Sequence, residues 1–101
     1  MPTSGQIKRL VLDVLKPYEP ELHIIASNLI ERCRKSNIEA VNITVYEMDR
    51  LTQKVKINVE GRSLNYEEIN DILIAHNCIV HSLDQCVAGE RIIEDIDTPQ
   101  D

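Results

Sequence analysis

Residues 41–60 read VNITVYEMDRLTQKVKINVE, and this stretch decides the fold. Val41, Ile43 and Val45 share one side of the run 41–47, and Val55, Ile57 and Val59 alternate with Lys54, Lys56, Asn58 and Glu60 over 54–60. A period of two is that of a half-buried strand. Two such runs in succession predict a hairpin. Setting the apolar faces together puts Val45 opposite Val55 and leaves Met48–Thr52 as a five-residue loop.

Outward from the hairpin the period changes to that of a helix on both sides. After it, Asn65 and Glu68 form a capping box, Leu64 and Ile69 have the spacing of a hydrophobic staple, and Ile69, Ile72 and Leu73 form the core stripe. A last strand runs from Cys78 to about Val87. Gly89 then opens a polar segment whose only large apolar residues are Ile92, Ile93 and Ile96, so little fixed structure is predicted after residue 93. Before the hairpin, Leu22, Ile25, Ala26, Leu29, Ile30 and Cys33 recur at spacings of three and four, a core-facing stripe predicted to end near Lys35–Asn37. Pro20 suits the first turn of that helix, and Lys16-Pro17-Tyr18-Glu19-Pro20 breaks the strand before it. That strand, residues 7–15, sets Leu10, Leu12 and Val14 on one face and Arg9, Val11, Asp13 and Leu15 on the other. Apolar residues on both faces mark it as central.

The order is therefore βαββαβ. Two strand–helix–strand halves joined by a hairpin assemble most economically as a four-stranded antiparallel sheet of order 4-1-3-2, with both helices on one face. This is the α+β ferredoxin-like plait. Residues 7–93 form its single domain, between a flexible N-terminus at 1–6 and a flexible acidic tail at 94–101.

Composition agrees with one soluble domain: 101 residues, 43% hydrophobic and 28% charged, with apolar runs too short to cross a bilayer. No basic stretch leads into an apolar segment at the start, and a cytoplasmic setting is expected. Cys33, Cys78 and Cys86 lack the paired spacing of zinc sites and read as buried small hydrophobes. A net charge of −6 argues against nucleic acid, because Lys and Arg are dispersed apart from Lys8–Arg9 and the group Arg32, Arg34 and Lys35.

In the plait the end of the first strand, the hairpin loop and the start of the last strand share one edge. Asp13, Lys16, Glu47, Asp49, His76 and His81 are expected to gather there, with Cys33 and Cys86 at the other end. The uncovered sheet face carries Val11 and Leu15, joined by Tyr46 and Met48 from outer strands. An apolar sheet back in so small a chain predicts a homo-oligomer formed through the sheet face and edges.

Several chemistries known on this architecture lack their residues here. Base stacking needs aromatic rings on central strands, and the third strand offers Lys54, Lys56 and Asn58 instead. Soft-metal carriers need thiols, and acylphosphatase-type enzymes a glycine-rich anion cradle, in the first strand–helix loop. Lys16–Pro20 has neither. What remains is Asp13 and Asp84 on neighbouring strands. With Ser82 on the same face they form an oxygen site for a divalent cation, calcium or magnesium. With His81 there instead, Asp13 pairs with the imidazole or with Lys56. Cross-strand polar pairing is the simpler reading of both arrangements. For a small ligand the candidate residues are Asp13, Tyr18, Glu47 and His81. Glu47 and Asp49 equally suit an ordinary hairpin turn, Tyr18 a cover over the core end, His23 a half-exposed helix face, and His76 a helix C-terminus.

The stretches Arg9–Pro17 with Glu19-Pro20, Val41–Arg50, Lys54–Gly61, and His81-Ser-Leu-Asp84 through Val87-Ala-Gly89 together resemble the archaeal domain of unknown function 211 family. The resemblance spans about residues 7–93. It implies a ferredoxin-like fold, an archaeal cytosolic source and assembly into a homo-oligomer, and it brings no activity. Cys78 and Cys86 stand where that pattern has small or aliphatic residues. Two functional classes follow. One is a non-enzymatic regulatory or scaffold module that binds a small ligand or cation between subunits, similar to amino-acid-sensing ACT-type plaits in its Asp near the first strand's end. The other is a metal-assisted hydrolase using Asp13, Asp84 and His81.

Overall fold

A computed structural model describes residues 6–94. Its elements are β1 (Ile7–Pro17), α1 (Leu22–Arg32), β2 (Ile38–Met48), β3 (Thr52–Gly61), α2 (Tyr66–Ala75) and β4 (Ile79–Ala88). The sheet order is β2-β3-β1-β4 with every neighbouring pair antiparallel, the predicted order read from its other edge. The fold is the ferredoxin-like plait. Of the flexible ends predicted at 1–6 and 94–101, residues 1–5 and 95–101, Ile96 among them, lie outside the described residues. Gln6 accepts from the Gly89 N–H at 2.8 Å, and both Glu94 carboxylate oxygens accept from Arg9 at 3.0 Å.

The alternation that predicts the strands also builds the core. Leu10, Leu12 and Val14 of β1 and Val55, Ile57 and Val59 of β3 meet Ile25 and Leu29 of α1 and Ile69 and Leu73 of α2, each at most 1% exposed. Burying one such side chain contributes about 1.5–3 kcal/mol. The β1–β3 register runs without a break from Arg9 opposite Glu60 to Pro17 opposite Thr52, and Val45 stands opposite Val55 as predicted.

The hairpin is tighter than predicted. The register slips at Tyr46, β2 continues to Met48 and β3 starts at Thr52, leaving three loop residues, 49–51, in place of five. Asp49 closes this turn: its Oδ1 accepts from the Leu51 N–H at 3.2 Å and from the Thr52 N–H and hydroxyl at 2.9 Å each.

Lys16 and Pro17 do not break β1; they are its last two residues. The period of two carries Lys16 onto the core face, 1% exposed, where its ammonium donates to Pro17 O at 2.7 Å, Tyr18 O at 3.2 Å and Gln53 Oε1 at 2.7 Å. A buried ammonium needs such acceptors. Pro20 stands before the helix rather than in its first turn, with Glu21 as the N-cap and a cis peptide between Glu19 and Pro20.

The helix α1 ends at Arg32, short of Lys35–Asn37, and Ile30 of its predicted stripe is 44% exposed. The early end follows from α2. Asn65 Oδ1 caps that helix by accepting from the Glu68 N–H at 3.0 Å. Glu68 does not complete the box; the Asn65 N–H donates instead to the buried Ser36 hydroxyl at 3.0 Å. Ser36 donates to Glu68 at 2.8 Å, and both Glu68 oxygens accept from the Lys35 N–H at 3.0 Å, which holds residues 34–37 in a turn. Leu64 and Ile69 are both buried at the staple positions. His76 caps the other end of α2: Nδ1 bonds Ile72 O at 2.7 Å and Nε2 accepts from Asn28 Nδ2 at 2.8 Å, a pairing that assigns the proton to Nδ1. Cys33 and Cys78 are buried as predicted, whereas Cys86, on the edge strand β4, is exposed; all three are free.

Candidate functional site

The two helices cover one face of the sheet and leave Arg9, Val11, Asp13 and Leu15 of β1 on the other. Asp13 stands between Lys56 of β3 and Ser82 of β4, and Leu15 between Lys54 and Ile79. Register slips in two strands shape the surroundings. The extra residue Tyr46 in β2 brings its phenol across β3, where the hydroxyl donates to Asp13 Oδ1 at 2.5 Å and the ring lies 5.7 Å from the Lys56 ammonium. In β4 the pairing slips at His81 and again at Asp84, which places both beside Ser82.

The result is a pocket of about 260 Å³ at the β1 end of this face, lined by Asp13, Val14, Leu15, Tyr46, Lys54 and His81. Its charges are only partly matched. Lys54 leans on Glu47 at 3.4 Å across the hairpin, both side chains half-exposed. Lys56 is bound by Asp84, which also accepts from Ser82 at 2.6 Å. These contacts fix the titration of the groups: the hydrogen bond to Asp13, with burial second, pushes the Tyr46 phenol up to about 12. The bonds from Lys56 and Ser82 hold the Asp84 carboxyl below its ordinary range, and Asp84 raises Lys56 in return. Tyr46 is therefore a fixed donor to Asp13 at neutral pH.

The residues expected at one edge divide in three. Asp13 and His81 meet in the pocket, and Glu47 reaches its rim through Lys54. Lys16 and His76 lie buried on the helix side of the sheet. Asp49 closes the hairpin, and Tyr18, 42% exposed, donates its hydroxyl to Asp49 O, tying the β1–α1 connection to that loop. Asp84 shares Asp13's face with Ser82, the arrangement needed for an oxygen site, but the Lys56 ammonium stands on Asp84 where a cation would sit. Among the described residues no group of three or more His, Cys, Asp and Glu side chains is close enough to hold a metal ion. Lys54 and Tyr46 complete the pocket without having been singled out as ligands. Lys54 enters through the β1–β3 register, which sets it opposite Leu15.

Residues 8–101 match the profile of domain of unknown function 211, described as "Uncharacterized ArCR". An uncharacterized protein of the archaeon Methanocaldococcus jannaschii is 47% identical over 95 residues, covering 94% of this chain and 95% of that protein.

Proposed function

The chain belongs to the archaeal domain of unknown function 211 family, and on that footing we propose that it is a non-enzymatic, homo-oligomeric regulatory or scaffold module with a small-ligand site on its open sheet face. The observation that carries this reading is the pocket, in which a carboxylate, an ammonium and an exposed imidazole surround the apolar Leu15 and the Tyr46 ring. A few convergent polar groups over an apolar floor make a binding site. Asp13 is held by Tyr46 and Asp84 by Lys56, so neither is arranged as one of a converging set of metal ligands; this favours the binding module over a hydrolase using Asp13, Asp84 and His81.

Self-association belongs to the same reading. Tyr46, Met48 and Leu51 are 51%, 61% and 79% exposed at the hairpin end, and Ile79 and Leu83 are 63% and 48% exposed on the β4 edge. Apolar surface on an open face and on an unpaired strand edge favours a second copy. Three free thiols suit a reducing, cytoplasmic setting, and among the described residues no helix is long and apolar enough to cross a membrane.

Light scattering at micromolar concentration should return a mass above that of one chain; a strictly monomeric mass would remove the oligomer from the proposal. Thermal-shift screening with amino acids, nucleotides and calcium or magnesium ions tests the pocket. A ligand at a hundred times its Kd stabilises by about 2.7 kcal/mol, and no stabilisation by any of these would overturn the ligand-binding reading.

A further inference from the structure

We infer that the pocket takes a small zwitterion of the α-amino acid class, its ammonium on Asp13 and its carboxylate on Lys54. This rests on the ligand-binding reading above and adds the class of ligand.

Asp13 is directly opposite Lys56, and Lys54 is its diagonal neighbour beside Leu15. Diagonal neighbours across an antiparallel pair stand about 7–8 Å apart, which leaves a gap that a small molecule can bridge. The two charges are turned to other partners: Lys54 to Glu47 at 3.4 Å, and Asp13 to the Tyr46 hydroxyl through Oδ1. Among the described residues Asp13 Oδ2 makes no hydrogen bond, so an acceptor with fixed orientation is left for an incoming ammonium.

The surrounding charges select against simpler ions. An anion at Lys54 would lie near Asp13 and Glu47, and a cation at Asp13 would lie near Lys54 and Lys56. A ligand carrying both signs a few ångströms apart neutralises both sides, each of its charges offsetting the like-charge contacts of the other. The half-exposed Glu47–Lys54 pair is weak and can yield to a carboxylate. At about 260 Å³ the pocket is below the roughly 300–1,000 Å³ of sites for drug-sized ligands, so the molecule is small. Leu15 and the Tyr46 ring offer apolar contact to its side chain, and His81 makes no hydrogen bond among the described residues and stands at the rim to choose among side chains.

Isothermal titration of the intact protein with the L-amino acids at millimolar concentration is the test, alongside the N-acetyl and carboxamide derivatives of any binder. An amino acid should bind, and blocking either charge, or making Asp13→Asn or Lys54→Met, should weaken it about tenfold to a hundredfold. Derivatives binding as well as their parents would overturn the assignment with no variant needed, as would unchanged affinity in Asp13→Asn. If calcium, magnesium or a nucleotide binds and no amino acid does, the zwitterion is wrong while the binding module stands. If none of these probes binds, both readings fall.

Discussion

Lys16 donates to the side-chain oxygen of Gln53, its direct partner across β1 and β3, at 2.7 Å from a position 1% exposed. Replacing Gln53 by Leu leaves a buried ammonium one acceptor short, and the expected loss is about 1–3 kcal/mol in denaturant unfolding. In a Lys16→Met background the same change should be much milder; equal losses in both backgrounds would show that the bond contributes nothing. Burial lowers the Lys16 pKa from its ordinary 10.5. Just below that pH the unfolded chain binds more protons than the native one, so wild-type stability relative to Lys16→Met should rise with pH there.

Gly61 ends β3 opposite Ile38, and a Cβ added to it would lie 2.4 Å from Asn37 O and 2.9 Å from a Leu64 methyl. The Asn37 carbonyl cannot retreat freely, because it accepts from the Arg62 N–H at 3.3 Å and Asn37 itself has a φ of 48°. Gly61→Ala should destabilise by about 1–3 kcal/mol through overpacking. An unchanged melting temperature would show that the β3–α2 junction is softer than its contacts indicate.

The strands, the helices and their order were legible because each keeps its hydrophobic period, and the Val45–Val55 register followed from matching two apolar faces. What was not legible came from single residues that depart from the period. Nothing in Val45-Tyr46-Glu47 marks Tyr46 as the extra residue of β2, yet that slip carries the phenol to Asp13. The slips at His81 and Asp84 likewise settle which β4 side chains join Asp13, a choice the sequence left open. Lys16 was readable in principle, since it continues Leu10, Leu12 and Val14. A charge beside a proline looked like a strand end, and only its three oxygen acceptors make the buried position tenable.

Asp84 is bound by Lys56 and Ser82, which hold its carboxyl below the ordinary 3.8. A depressed carboxyl pKa contributes stability that is fully present above the unfolded value and is lost as pH falls through the folded one. The stability difference between wild type and Asp84→Asn should therefore be constant near neutrality and shrink as pH drops below 3.8. A difference that stays constant into strong acid would mean that the Lys56–Asp84 pair does not form in solution.

The Tyr46 phenol is pushed up to about 12 by its bond to Asp13 and by partial burial. Alkaline titration followed by phenolate absorbance should show a late step from Tyr46. Asp13→Asn removes the charge that opposes ionisation, so that step should move down toward 10, and Tyr46→Phe should delete it. A late step that survives Asp13→Asn would assign the shift to burial alone and leave Asp13 unanchored.

The three free thiols differ in their exposure to solvent. Burial pushes Cys33 up to about 11, with Glu68 adding to the shift, and raises Cys78 against the opposing effect of Lys16, while Cys86 is exposed on β4. The thiolate is the reacting species, so a buried thiol with a raised pKa is protected twice. A maleimide added to the native protein near neutral pH should label one site quickly, and all three only after unfolding. Cys86→Ser should remove the fast label, and persistent fast labelling would place Cys33 or Cys78 in contact with solvent. If self-association covers the β4 edge, the same label should slow as protein concentration rises, which makes Cys86 a reporter of whether that edge or the hairpin end meets the second copy.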